Sequence, residues 1–99
     1  MAQGLGGTKQ LTASGEVGAT GKPVRVFLIV ALSGGTAGVS TFKNNGSSGT
    51  TLFTATCATV STDNIFNLGN RGMLFPLGCY WTKDANTTDV KVSYENEVA

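Results

Sequence analysis

Val24-Arg25-Val26-Phe27-Leu28-Ile29-Val30-Ala31-Leu32 is the most apolar stretch of the chain, and its reading decides the fold. Val24, Val26, Ile29 and Val30 are β-branched, stiff at χ1 and suited to a pleated strand. Pro23 stands just before the run, where its missing N–H disturbs a ladder least. With the period of two that a strand imposes, Val24, Val26, Leu28 and Val30 line one face and Phe27, Ile29 and Ala31 the other. Both faces are apolar. A two-layer core accounts for one of them, so the second needs a cover. Two covers stay open: a sister subunit, or the chain's own N-terminal segment or a long loop.

Outward from this strand, the chain reads as further strands divided by turn chemistry. Thr, Val, Gly, Ser and Phe dominate, and no stretch carries a helical repeat. Toward the N-terminus, Lys9 to Val17 is a strand closed by Gly18-Ala19-Thr20-Gly21, and Met1 to Thr8 is a flexible arm because Gly4, Gly6 and Gly7 leave its backbone free. Toward the C-terminus, Thr36 to Lys43 leads into Asn44-Asn45-Gly46-Ser47-Ser48-Gly49, a loop whose residues tolerate positive φ. Thr50 to Val60 and Ile65 to Leu68 follow. Met73 to Phe75 and Cys79 to Lys83 flank Pro76-Leu77-Gly78, a break within one strand path. Val90 to Glu95 alternates, with Val90, Val92 and Tyr94 inward and Lys91, Ser93 and Glu95 outward. The expected architecture is all-β: an antiparallel, jelly-roll-like β-sandwich domain over residues 9–99, preceded by the Gly-rich arm over residues 1–8.

Composition narrows the function. The 99 residues suffice for one domain, and 40% hydrophobic against 13% charged residues argues for a folded chain with a Ser, Thr, Asn and Gly surface. The seven basic residues are scattered, with no row to neutralise phosphates, so nucleic acid is not an expected partner. No apolar run approaches a bilayer span and residues 1–22 hold no apolar targeting segment, so no membrane association is expected. Cys57 and Cys79 sit at apolar strand positions, where a small buried thiol is the ordinary role; spacing alone does not show whether they approach closely enough to bridge.

The chain contains no His, which removes the usual general base, the Ser or Cys triads and the commonest metal ligand. Glu16, Asp63, Asp84, Asp89, Glu95 and Glu97 lie at turns or exposed strand positions, not paired across a cleft. No catalytic residue is expected, and no cofactor. Asp84, Asn86 and Asp89 place oxygens at loop spacing but lack the glycine and distal Glu of a calcium loop, so they read as an Asx-rich turn and no metal is expected. Asn45-Gly46-Ser47 and Asn86-Thr87-Thr88 match the glycosylation acceptor pattern, which a Ser- and Thr-rich chain produces by chance. Tyr80 and Trp81 point to opposite faces of their strand; Trp81 shares a face with Cys79 and is core, and Tyr80 is the outward ring.

Four motifs follow in order: Ser33-Gly34-Gly35-Thr36-Ala37-Gly38-Val39, Asn45-Gly46-Ser47-Ser48-Gly49-Thr50, Leu74-Phe75-Pro76-Leu77-Gly78-Cys79-Tyr80, and Asp84 to Glu95. The order resembles that of small virion proteins of tailed bacteriophages, including cyanophages, over roughly residues 22–96 and without the arm. The motifs are structural punctuation. The resemblance implies a virion structural protein on the capsid surface, made in the host cytoplasm: a decoration or cement protein whose partners are the major capsid protein and sister subunits of a homo-oligomer. Leu5 and Leu11 in the N-terminal region, the face of Phe27, Ile29 and Ala31, and Tyr80 are the candidate contact residues. A tail or fibre adaptor is the alternative within the same virion, and a carbohydrate-binding module using Tyr80 is the alternative outside it.

Overall fold

A computed structural model describes residues 6–58 and 60–97. Its strands are β1 (Gly6–Leu11), β2 (Gly15–Val17), β3 (Val24–Ser33), β4 (Gly38–Asn44), β5 (Thr50–Cys57), β6 (Asp63–Asn67), β7 (Met73–Phe75), β8 (Cys79–Thr82) and β9 (Thr87–Asn96). They form two antiparallel sheets, and no helix occurs among the described residues. The five-stranded sheet runs β1-β9-β3-β6, with β7 pairing the upstream half of β3 where β6 pairs the downstream half. The four-stranded sheet runs β2-β8-β4-β5. Buried side chains from both sheets make one core: Val24, Val26, Ile29, Ala31, Phe75, Val90 and Val92 from the first, Val17, Phe42, Ala55, Cys57, Cys79 and Trp81 from the second. Each large aliphatic among them contributes roughly 1.5–3 kcal/mol by leaving water. Phe53 of β5 and Phe66 of β6 meet edge-on at 5.7 Å, tying the sheets together on one side.

β3 is apolar on both faces, as its sequence requires, but the faces are not the ones that strict alternation gives. Val26 pairs with Tyr94 and Leu28 with Ser93, leaving Phe27 as an extra residue. This bulge resets the phase. Val24, Val26, Ile29, Ala31 and Ser33 all point inward with no exposed surface, and Leu28, Val30 and Leu32 point outward. The outward placement of Ile29 and Ala31 is therefore corrected: both are core. Backbone closure around Phe27 fixes the bulge, because its carbonyl accepts the Leu68 N–H at 2.9 Å. Gly72 lies against the same spot with φ 67°, and a Cβ there would meet the Val26 carbonyl oxygen at 2.5 Å.

Other boundaries move for similar reasons. Lys9 to Val17 is not one strand: β1 pairs with β9 in one sheet, and β2 pairs with β8 in the other. Residues 6–8 of the expected arm belong to β1, with Gly6 opposite Glu95 and Thr8 opposite Ser93, while Leu5 and the rest of the arm lie outside the described residues. Pro76-Leu77-Gly78 does not interrupt one strand path; it carries the chain from β7 in the five-stranded sheet to β8 in the four-stranded one. The strand from Thr50 ends at Cys57, and the final strand begins at Thr87, ahead of Val90. The β4–β5 loop is as read, with Asn45 and Gly46 both at positive φ, 76° and 80°.

Cys57 and Cys79 are buried free thiols. Along β4, Cys57 is registered with Gly38 and Cys79 with Asn44. That offset along one strand is about 20 Å at ~3.3 Å per residue, far beyond the ~7 Å limit for bridged Cα atoms.

Candidate interaction surface

Among the described residues outside the core, a set of apolar side chains lies on the outer face of the five-stranded sheet. Cross-strand register builds it in rows. Val30 sits between Ile65 of β6 and Lys91 of β9, Leu28 between Asn67 and Ser93, and Leu32 between Asp63 and Asp89. Leu28, Val30 and Leu32 are half-buried by these neighbours, whereas Ile65 keeps 68% of its surface exposed and Leu74 of β7, opposite Arg25, keeps 38%. The rim, formed by Thr8, Gln10, Asp63, Asn67 and Lys91, is exposed, so no described segment lies across the face. β1 pairs at the β9 edge of the sheet instead. Of the two covers left open by the sequence, the described part of the N-terminal segment is not one.

A shallow depression of about 340 Å³ continues this face past the Phe27 bulge, lined by Arg25, Phe27, Asn70, Arg71, Glu95 and Glu97. Arg25 organises it, donating from Nη1 to the Arg71 carbonyl at 2.9 Å and pairing through Nε with Glu97 at 3.4 Å. Two cations and two carboxylates line the depression, so it has no net charge with which to select an ion.

The outer face of the four-stranded sheet has a different character. Thr41 pairs with both Thr54 and Thr82, giving one row of threonines, and Val39 pairs with Thr56. Tyr80 lies between Lys43 and Glu16, half-buried. Burial raises the pKa of Glu16, whose Oε1 is enclosed and has no hydrogen-bond partner. Burial, with the charge of Glu16 added, pushes the Cys79 thiol up as well, so that sulfur is held protonated.

The loop ahead of β9 is an Asx turn. Asp84 Oδ2 accepts the N–H of Asn86 at 3.1 Å and of Val39 at 3.2 Å, and Oδ1 accepts that of Thr87 at 3.2 Å. Burial opposes the charge on Asp84, but these donors outweigh it and hold the carboxyl below its ordinary value. Asp89 faces elsewhere, taking a hydrogen bond from Gln10 at 3.0 Å, and no group of three His, Cys, Asp or Glu side chains arranged to hold a metal occurs among the described residues. No helix among the described residues is long and apolar enough to cross a membrane.

The candidate contact residues therefore do not gather on one surface. Leu11, opposite Val90, packs against the core and is largely spent there. Phe27 lines the depression, Ile29 and Ala31 are core, and Tyr80 belongs to the other sheet. Leu28, Val30, Leu32, Ile65 and Leu74 take the place of Ile29 and Ala31 on the open face. Ile65 had one visible signal: Asn64-Ile65-Phe66-Asn67 places two large apolar side chains next to each other, and a strand must send one outward. No protein-family model matches the chain, and neither a curated protein nor a solved structure is significantly similar to it.

Proposed function

We propose that this chain is a structural protein of a tailed-phage virion, a decoration or cement protein that lies on the capsid shell and stabilises it by contact. The observation that carries the reading is the open apolar face of Leu28, Val30, Leu32 and Ile65 with its thin polar rim. Such a surface is stable in water only at a cost and gains on burial against a partner. The resemblance adds the kind of partner. Its motifs fall on the β3–β4 turn, the β4–β5 loop, the β7–β8 crossing and the Asp84 turn with β9, the joints that shape the fold. Within this reading the two sheets form a jelly-roll-like sandwich, the Gly-rich residues ahead of β1 act as an arm that orders on the shell, and the chain is made in the host cytoplasm. The role is contact, without catalysis or cofactor.

Electron microscopy of particles carrying the labelled protein tests the location. Label spread over the whole head supports the proposal. Label confined to the tail in a few copies supports the adaptor reading instead. A carbohydrate-binding module would give saturable glycan binding lost on Tyr80→Ala, with no label on particles.

A further inference from the structure

The same side of the molecule that joins Phe53 to Phe66 carries a second unused surface, the free edge of β5. An edge strand offers a row of unpaired N–H and C=O groups, and proteins normally protect it with shortness, charge or Pro. The other edge strands are protected in these ways: β1 carries Lys9, β2 and β7 have three residues each, and β6 begins at Asp63. β5 has eight residues, Thr50-Thr51-Leu52-Phe53-Thr54-Ala55-Thr56-Cys57, with neither charge nor Pro. Its one irregularity is at Leu52, where the register against β4 shifts, and Phe53–Cys57 is regular. In the link after β5, Ser61 is held at the end of β3, donating from N to the Ser33 carbonyl and from Oγ to the Gly34 carbonyl. Among the described residues no turn or loop backbone hydrogen bond reaches residues 50–57. Among the described residues, Leu52 of β5 and Val60 of the link after it are large apolar side chains left exposed.

We infer that β5 is a self-pairing edge, through which a second copy of the chain joins antiparallel about a two-fold axis at Ala55. The sequence of the regular segment selects the partner. Opposed residues of antiparallel strands must share a face, which puts the axis on a residue and not between two. With the axis on Ala55, Phe-Thr-Ala-Thr-Cys is nearly symmetric: Thr54 opposes Thr56 of the second copy, Phe53 opposes its Cys57, and the small Ala55 opposes itself. Threonines meet threonines on the outer face, apolar side chains meet apolar ones inside, and no like charges meet. The two four-stranded sheets become one of eight strands, and the threonine row that begins at Thr82 and Thr41 continues into the sister copy. This surface is separate from the open face of β3, so a copy paired through β5 keeps that face free. The inference does not rest on the shell reading, since it concerns the purified chain alone.

Light scattering of the purified protein through the micromolar range should show a dimer. Thr54→Lys combined with Thr56→Lys places like charges opposite each other twice and should weaken association about tenfold or more, while circular dichroism and melting temperature, compared at a dilution where both proteins are monomers, stay those of the parent. Register is tested by cysteine crosslinking. Directly opposed Cα atoms lie about 4.5–5.5 Å apart, within disulfide range. A Thr54→Cys protein mixed with a Thr56→Cys protein should therefore crosslink on oxidation, and neither should do so alone. A monomer throughout, a dimer unaffected by the two lysines, or equal crosslinking of unmixed proteins overturns the inference.

Discussion

Trp81 is the largest fully buried side chain, and its indole N–H donates to the Ser40 hydroxyl at 2.8 Å inside the core. A buried donor left without an acceptor loses its full solvation, so Ser40→Ala should cost about 1–3 kcal/mol, measured by urea denaturation. Glu16 predicts the opposite sign. Its folded pKa is raised by burial above the ordinary carboxylate value. The folded state thus favours the protonated form; the penalty is absent below the unfolded pKa and fully present above the folded one. Glu16→Gln should raise the melting temperature near pH 7, and the gain should shrink to nothing by about pH 3.5. A gain equal at both pH values would place the effect elsewhere. Of these residues, Trp81 was legible in the sequence because it alternates with Tyr80 and shares a face with Cys79. The Asx turn at Asp84 was legible too, because its hydrogen bonds to Asn86 and Thr87 are local. Glu16 was not, since its Oε1 lies beside Gly78, distant in sequence. A Cβ built on Gly78 would stand 3.3 Å from its Oε1.

At the scale of elements, the Phe27 bulge decides which side chains of β3 are core. Deleting Phe27 would restore strict alternation and, on one side of the deletion, exchange the inner set for the outer one. The variant should lose more than about 3 kcal/mol and with it cooperative melting, whereas Phe27→Ala, which keeps the register, should melt cooperatively at a lower temperature. If the deletion variant melts like the parent, the bulge is not what sets the phase. The existence of the strand was plain from its β-branched residues, and so was its surplus of apolar surface. Its phase was not, because a bulge is settled by partners such as Ser93, Tyr94, Leu68 and Gly72, which a local pattern does not contain. The same limit explains β1 and β2, and β7 and β8. A short turn between two apolar segments reads alike whether the chain stays in one sheet or crosses to the other, and only pairing decides. The open contact face inherits that error, which is why Ile29 and Ala31 stood where Leu28 and Val30 belong.

For the whole molecule, the test of the open face is attachment. Val30→Lys with Ile65→Lys puts two charges in the middle of the apolar surface while leaving every core side chain in place. If the face docks on a shell, binding of purified protein to stripped particles should fall at least about 100-fold, for a loss of about 1.5 kcal/mol or more at each position. Unchanged binding would exclude this face as the docking surface. The topology also governs how the molecule comes into being. β1 finds its ladder only on β9, with Leu11 beside Val90, and the central β3 is flanked by β9 along its whole length. Nearly every contact of the five-stranded sheet spans a large part of the sequence. Chains dominated by such distant pairings fold slowly, in milliseconds to seconds, because loop-closure entropy is lost before contacts return it. During synthesis, the sheet cannot close until its last strand has left the ribosome, whereas the local β4–β5 hairpin can form long before. The uncharged β5 edge is thus formed before the core behind it is complete, and if copies pair through it, that pairing can begin before folding has ended.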